Sequence, residues 1–397
     1  MASSSTPPKP IREKNHPPMI LNPHKRVPLL RTATHQPSPE PTLPITNTKH
    51  RPNEPGTKPQ TSHSEPTTKP KNQASIFFIG TATTIITYTP PTPQPPLRLL
   101  TDPNFLHAHS HIHLGPGITA QRLTNPAVPD LASLPLMDAI LLSHYHEDHF
   151  DREVQAKLSR DVPIVTTPHA RGCLVDIEEK NGGEGFRRVW GVDFFEGVMM
   201  VPDDAGVEGA GCEGGRGAIR VTGMPGKHVP PGVVGVANEL VKTVPPTNGW
   251  LVELGRTTHQ PKITVTGEVK GEIGPGMVEE GFETGYRIYI SGDTLMVDEL
   301  KEIPKRLQGD KIDLMLVHLG GTTIPGPKMP LLMVTMDGVQ GVQLMKLVEP
   351  DVTVPIHYDD YDVFCSPLED FRKEVEAAGL GGKVVYLDRG EEYKFEF

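Results

Sequence analysis

Three imidazoles and two carboxylates fall within six residues at His144-Tyr145-His146-Glu147-Asp148-His149. Neutral imidazole and carboxylate are the ligands that a borderline divalent ion such as zinc prefers. The cluster follows the apolar run Ala139-Ile140-Leu141-Leu142, which reads as a short buried strand. A strand that ends in such a cluster delivers its ligands together at one edge of a sheet. The spacing H-x-H-x-D-H therefore favours a metal site over a surface group of histidines.

One cluster rarely completes a site, so ligands are sought at other strand ends. His228 follows the turn Met224-Pro225-Gly226-Lys227, Asp293 lies just past the strand-like Tyr286 to Ile290, and His357 ends Val352-Thr353-Val354-Pro355-Ile356. With the first cluster they make five His and two Asp, enough for two adjacent ions of four or five ligands each. His144 and His146, two residues apart, can share one ion, with His228 completing its shell. Asp148 and His149 open the following helix and turn towards a second ion, with His357. Asp293 is the natural bridge, because a carboxylate has two oxygens and can span both ions. Gly292 beside it lets the backbone come close.

These residues, taken in order, resemble the metallo-β-lactamase fold superfamily: His144-x-His146-x-Asp148-His149, His228, Ser291-Gly292-Asp293-Thr294 and Ile356-His357-Tyr358. Ile79-Gly80-Thr81-Ala82-Thr83 and Thr101-Asp102-Pro103 are similar to the branch of L-ascorbate-6-phosphate lactonase-like and N-acylphosphatidylethanolamine phospholipase D-like hydrolases. The resemblance spans about 75–397. It implies an αββα four-layer sandwich, an α/β fold, with a dinuclear site along one edge, and the ligand roles already argued from spacing. Motifs of the nucleic-acid-processing members are lacking.

The chemistry expected is hydrolysis by a hydroxide formed between two divalent ions, since water there is acidified from a pKa of about 15.7 towards about 7. The ions are expected to be Zn2+, with Mn2+ or Fe2+ also suited to His and Asp ligands. The substrate class is a small or amphipathic ester, lactone or phosphodiester. Asp293 holds the pair of ions, and Asp148 orients the nucleophile as well as binding. His318, in Val317-His318-Leu319-Gly320-Gly321, sits where related proteins usually carry an apolar residue or proline. It reads either as a substrate-facing proton donor or as a hydrogen-bonded strand-end His. The competing reading is a non-catalytic metal-binding scaffold of the same fold, disfavoured because all seven ligand positions are present.

Asp102 is a candidate acceptor for the N–H of a ligand histidine, or a plain Asp-Pro turn former. His107, His109, His111 and His113 alternate as if on one face of a strand, but Gly115-Pro116-Gly117 suggests a loop, and a further metal site there is disfavoured. His169 and the pair Asp359-Asp360 read as ordinary loop polarity. The Gly-rich run 206–217 lacks the Lys-Ser or Lys-Thr that closes a phosphate loop.

The elements that must position these groups are mostly strands. Strands are expected at 76–80, 84–88, 97–100, 139–142, 163–167, 188–192, 197–201, 218–222, 249–254, 262–267, 286–290, 314–317, 352–356 and 383–387. Helices are expected at 152–158, 170–180, 296–307, 336–348 and from Ser366 to 378. Two β-rich halves flanked by helices suggest two packed sheets with helices outside.

The start of the chain differs in composition. Residues 1–74 hold 16 of the 43 prolines and 11 Lys or Arg against 4 Glu. Such a stretch buries too little apolar surface to offset its ordering entropy, so disorder is expected over 1–74 and one folded hydrolase domain over 75–397. That domain, with 28 basic and 45 acidic residues, carries about −17. An acidic body argues against nucleic-acid binding. No run approaches the roughly 20 apolar residues of a membrane span. Cys173, Cys212 and Cys365 form no C-x-x-C pair, which fits a reducing compartment. The cytoplasm is expected, with a mitochondrial address as the alternative for a basic start. Oligomeric state is left open by the sequence.

Overall fold

Three separate apolar layers explain how the chain stacks. In the strand Gln73–Gly80 every second residue faces a different layer: Ile76 and Phe78 join a central core, while Phe77 and Ile79 join an outer one. The same alternation sends Leu314 and Leu316 inward and Met315 and Val317 outward in Leu314–His318. Both faces of each sheet are thus buried, and the strands read as near-continuous apolar runs. The central core is the sheet-on-sheet contact. The outer cores are covered by helices: Val154 and Leu174 on one side, Ile303, Val342, Met345 and Phe371 on the other. This is the expected αββα sandwich. The structure, a computed structural model, describes residues 14–33, 35–51, 71–115, 118–177, 184–203, 215–229, 244–258, 281–326 and 329–397.

The first sheet runs in the order Lys14–Asn15, Glu196–Pro202, Gly217–Pro225, Asn248–Thr257, Phe282–Ile290, Leu314–His318 and Val352–Ile356, with Met19–Leu21 also paired to Glu196–Pro202. The second runs Val189–Gly191, Ile164–Thr166, Ala139–Leu141, Leu97–Thr101, Thr83–Thr89, Gln73–Gly80, Glu391–Glu396 and Asn47–Lys49. Ala139–Leu141 lies parallel to both its neighbours, as Leu314–His318 does in the other sheet. Their carboxyl ends therefore open on a sandwich edge, where open α/β sheets carry their sites.

Several expectations are corrected. Disorder over 1–74 fails for 14–33 and 35–51. Lys14–Asn15 and Met19–Leu21 pair with Glu196–Pro202, and Asn47–Lys49 pairs with Glu391–Glu396. Met19, Leu21 and Leu29 are buried, and Arg26 Nε donates to Asp138 Oδ1 at 2.9 Å. A composition averaged over 74 residues hides a few apolar side chains that the open edge of a sheet captures. The domain boundary at 75 moves accordingly. Residues 1–13, 34 and 52–70, the expected strand at 262–267 and most of the run 206–217 lie outside the described residues.

The closing strand is Glu391–Glu396, not 383–387. Val384 and Val385 are buried, but their backbone makes only an isolated bridge, Thr353 to Val384. Glu391–Glu396 instead alternates buried and exposed residues against Gln73–Gly80. The expected loop around His111 is a hairpin, His111–Gly115 with Ile118–Gln121. The helix expected at 170–180 spans Pro168–Val175, and that at 296–307 begins as a 3-10 turn, Asp298–Lys301, before Glu302–Leu307. No helix among the described residues is long and apolar enough to cross a membrane.

Candidate metal centre

The end of Ala139–Leu141 is fixed before any ligand is placed. Ser143 donates through its backbone N–H to Asp102 Oδ1 (2.7 Å) and through its hydroxyl to Asp102 Oδ2 (2.9 Å). Its carbonyl accepts from the backbone N–H of Asn248 in the opposite sheet at 3.0 Å. The two sheets are thus tied at the edge where the histidine cluster begins. Asp151 then caps the helix Arg152–Lys157 by accepting from Val154 N–H, and closes the cluster's loop.

The distant residues arrive from the first sheet. His228 follows Gly217–Pro225, Asp293 follows Phe282–Ile290, and His357 follows Val352–Ile356. Gly292 has φ +61°, and a Cβ there would collide with the Asn248 carbonyl, so this left-handed turn admits only glycine. His357 itself takes φ 63°, an uncommon backbone for a residue with a side chain.

The geometry brings all seven expected ligand residues together. Ligand atoms of Asp148, His149, Asp293 and His357 lie within 4.8 Å of one another, as do those of His144, His228 and Asp293, and those of His144, His146 and Asp148. The first group is the set expected for the second ion, and Asp293 takes part in two groups. His146 sits apart from His228: its Nδ1 lies 2.8 Å from Asp148 Oδ1, and its side chain is 19 % exposed, the most open of the seven.

The residues fit a metal because of what their ring nitrogens do. His228 Nδ1 lies 3.1 Å from the Val334 carbonyl and His357 Nδ1 3.0 Å from the Leu319 carbonyl, so each Nδ1 carries the proton. His149 Nδ1 lies 3.0 Å from Asp102 Oδ2, and His144 Nδ1 3.0 Å from the Ser143 hydroxyl. The Nε2 atoms of His144 and His228 are buried with no hydrogen-bond partner, while those of His149 and His357, equally buried, face the Asp293 carboxylate at 3.1 and 3.6 Å. A buried nitrogen without a partner is costly, and four Nε2 atoms that converge with two carboxylates form a donor set that fits a cation. Outer partners on the other ring nitrogen are also what fixes a ligand histidine's tautomer and orientation.

Charge divides the centre in two. Burial and then the neighbouring histidines keep His144 well below its usual range, and burial lowers His228 to about 4. Burial also opposes charge on His149 and His357, but nearby carboxylates, Asp293 foremost, outweigh it and raise both. His146 is raised in the same way by Asp148. Asp148 and Asp293, which burial alone would raise, are held well below the carboxylate range by His149 and its neighbours.

His318 is fully buried at the end of Leu314–His318. Its Nδ1 lies 3.0 Å from Asp293 Oδ1, and its Nε2 has no hydrogen-bond partner. The Thr335 hydroxyl donates to Asp293 Oδ2 at 3.3 Å, a contact with no signal in the sequence. The Phe364 ring lies 4.5 Å from that of His357 and forms part of the wall. Asp360, read from sequence as loop polarity, is fully buried against Arg122 at 3.0 Å. His169 is exposed. The histidines at 107–113 are exposed and enter no metal-binding group among the described residues.

A UPF0173 metal-dependent hydrolase of Methanopyrus kandleri is 30 % identical over 137 residues, 34 % of this chain and 53 % of the relative. The chain thus spans about half the length of that relative. A UPF0173 metal-dependent hydrolase of Thermodesulfovibrio yellowstonii is 23 % identical over 280 residues, 69 % of this chain and 83 % of the relative. The crystal structure of isothiocyanate hydrolase from Delia radicum gut bacteria superimposes with a TM-score of 0.54 at 18 % identity, covering 81 % of this chain and all of that one. That likeness is one of fold. No family model matches the chain.

Proposed function

We propose that this chain is a metal-dependent hydrolase of the metallo-β-lactamase fold superfamily, acting on a small or amphipathic ester, lactone or phosphodiester. The observation that carries this reading is the convergence of four buried Nε2 atoms on two ionised aspartates. His144, His146 and His228 would hold one divalent ion, and Asp148, His149 and His357 a second, with Asp293 between them. Zinc suits this donor set, as do manganese and iron. When bound, such ions supply hydroxide at neutral pH and an electrophile for the developing oxyanion.

The chain's own groups do the rest. Asp102 fixes the His149 ring through Nδ1 and, with Ser143, sets the angle at which the cluster leaves its strand. Asp148 reaches both His146 and the second group, so it can orient the attacking oxygen while serving as a ligand. His318 holds Asp293 Oδ1, which leaves Oδ2 to face His149 (3.1 Å) and His357 (3.6 Å). For His318 the geometry supports this anchoring role over proton donation to substrate. His146 is the ligand that solvent reaches, so substrate enters on its side.

The test combines metal content with a matched panel: an aryl phosphodiester, a γ-lactone and an aryl ester, with Asp293→Asn as control. Bound metal together with turnover that Asp293→Asn abolishes supports the reading, and the active member names the bond cleaved. Folded protein that binds no divalent metal overturns it.

A further inference from the structure

Two residues with side chains adopt left-handed backbone at the same place. Thr81 has φ 50° and His357 φ 63°, and the backbone N–H of His357 donates to the Thr81 carbonyl at 3.0 Å. Neither conformation is favoured for such residues, and each persists only if its surroundings impose it. What imposes Thr81's is visible. Its N–H donates to Asp360 Oδ2 at 2.8 Å, and its hydroxyl accepts from Arg122 Nη1 at 2.6 Å. Arg122 and Asp360 form an ion pair at 3.0 Å, both side chains fully buried. Asn104 and the Arg389 guanidinium extend the network.

A buried charge pair is weak evidence for stability, since its desolvation offsets much of the attraction; its better attested use is to specify a conformation. Here the conformation it specifies ends on a ligand. Gly80 at φ +148° lets the turn pass close to both arginines, since a Cβ at this position would lie 3.2 Å from Arg122 Nη2 and 3.3 Å from Arg389 Nε. The chain of contacts is Arg122 and Asp360 to Thr81, then the Thr81 carbonyl to the His357 backbone. His357 Nδ1 is separately tied to Leu319. Together these leave Nε2 aimed at Asp148 and Asp293, 3.7 and 3.6 Å away.

We infer that Arg122 and Asp360 are positioning residues for His357, and through it for the ion held by Asp148, His149 and His357. The inference rests on the two-ion reading above. It predicts a selective effect, because the network reaches the His357 backbone through Thr81, whereas its contact with the histidine cluster is Asn104 Nδ2 to the Glu147 carbonyl at 3.1 Å, beside Asp148. Loss of the brace weakens one ion and leaves the other.

The experiment is a zinc titration of metal-stripped full-length protein, followed by calorimetry and by metal content after dialysis. Wild type is expected to bind two zinc ions in separable steps. Asp360→Asn and Arg122→Lys, with unchanged circular dichroism, are expected to weaken one step at least tenfold and leave the other within twofold. Thr81→Gly placed in the Asp360→Asn background is expected to recover most of the loss, since glycine takes φ 50° without support. General destabilisation would weaken both steps and would not be rescued by adding a glycine. Where Asp360→Asn does not fold, Thr81→Val, which removes only the hydroxyl bound by Arg122, carries the same expectation. Two ions bound as tightly by the variants as by wild type, or both steps weakened equally, overturns the brace. Wild-type protein that binds neither zinc, manganese nor iron overturns the hydrolase reading itself.

Discussion

Two histidine-rich stretches of this chain lie within 43 positions of each other, and only one builds a centre. His107, His109, His111 and His113 outnumber His144, His146 and His149, yet all four are exposed. On the hairpin strand, Ile112 and Leu114 take the buried face and leave His111 and His113 on the open one. His107 Nε2 lies 3.1 Å from the Pro129 carbonyl, and His113 Nδ1 lies 3.1 Å from Arg152. His144 and His149 are instead sealed off, with Nδ1 occupied and Nε2 turned towards the other ligand groups. Histidine count therefore says little about metal binding. Burial, an outer partner on one ring nitrogen and a carboxylate facing the other decide it.

The sharpest way to break this contrast is Asp293→Asn, which removes the shared carboxylate. Hydrolysis should fall by more than the roughly 100-fold that the loss of a supporting residue can cost, read as kcat/KM on the active member of the panel. Asp102→Ala removes only the outer partner of His149. Metal affinity should drop by about 10- to 100-fold while the fold persists, as a zinc titration beside a thermal melt would establish.

Acidity separates the two halves of the centre. His149 and His357 have raised pKa values in the metal-free protein and must lose protons to bind an ion, whereas in the other set only His146 is raised and His144 and His228 are already neutral. The contribution of the raised pair to metal-free stability is complete below their unfolded pKa of about 6.5. It is lost as pH rises through their higher folded values. Metal binding runs the other way and should tighten with pH, by up to about tenfold per unit for each proton displaced. Titrations at pH 6, 7 and 8 should show the steeper dependence in the ion step that the brace variants weaken. The smallest effect is expected at the other stretch: His111→Ala with His113→Ala should leave metal content and turnover within about twofold of wild type, as exposed substitutions usually do. A loss of one bound ion there would void the comparison.

Much of the candidate centre was legible from residue order because its proposed ligands sit at strand ends, where an apolar run stops and a His or Asp follows. That signal is local. The Asp102 role was visible only as an even choice, since Thr-Asp-Pro also makes a turn. Arg122 and Asp360 left no signal: each looks like loop polarity until the hairpin His111–Gln121 and the segment after His357 are brought side by side. Among the strands, Val384-Val385 misled because apolar residues can be buried with no more than an isolated bridge to a neighbouring strand, whereas Glu391–Glu396 pairs with four of its six side chains charged. Met19 and Leu21 were lost in the average of a proline-rich start.

The sequence by itself determined the donor set, the alternation that buries both faces of each sheet, and the acidic charge of the body, because these depend on residue type and on spacings of a few positions. Tertiary structure alone decided how deeply each histidine is buried, how the ring tautomers are set, and how His357 is held in a strained backbone. Those properties depend on burial and on partners from distant parts of the chain, and a buried nitrogen or ion pair has its energetic meaning only once water has been excluded around it.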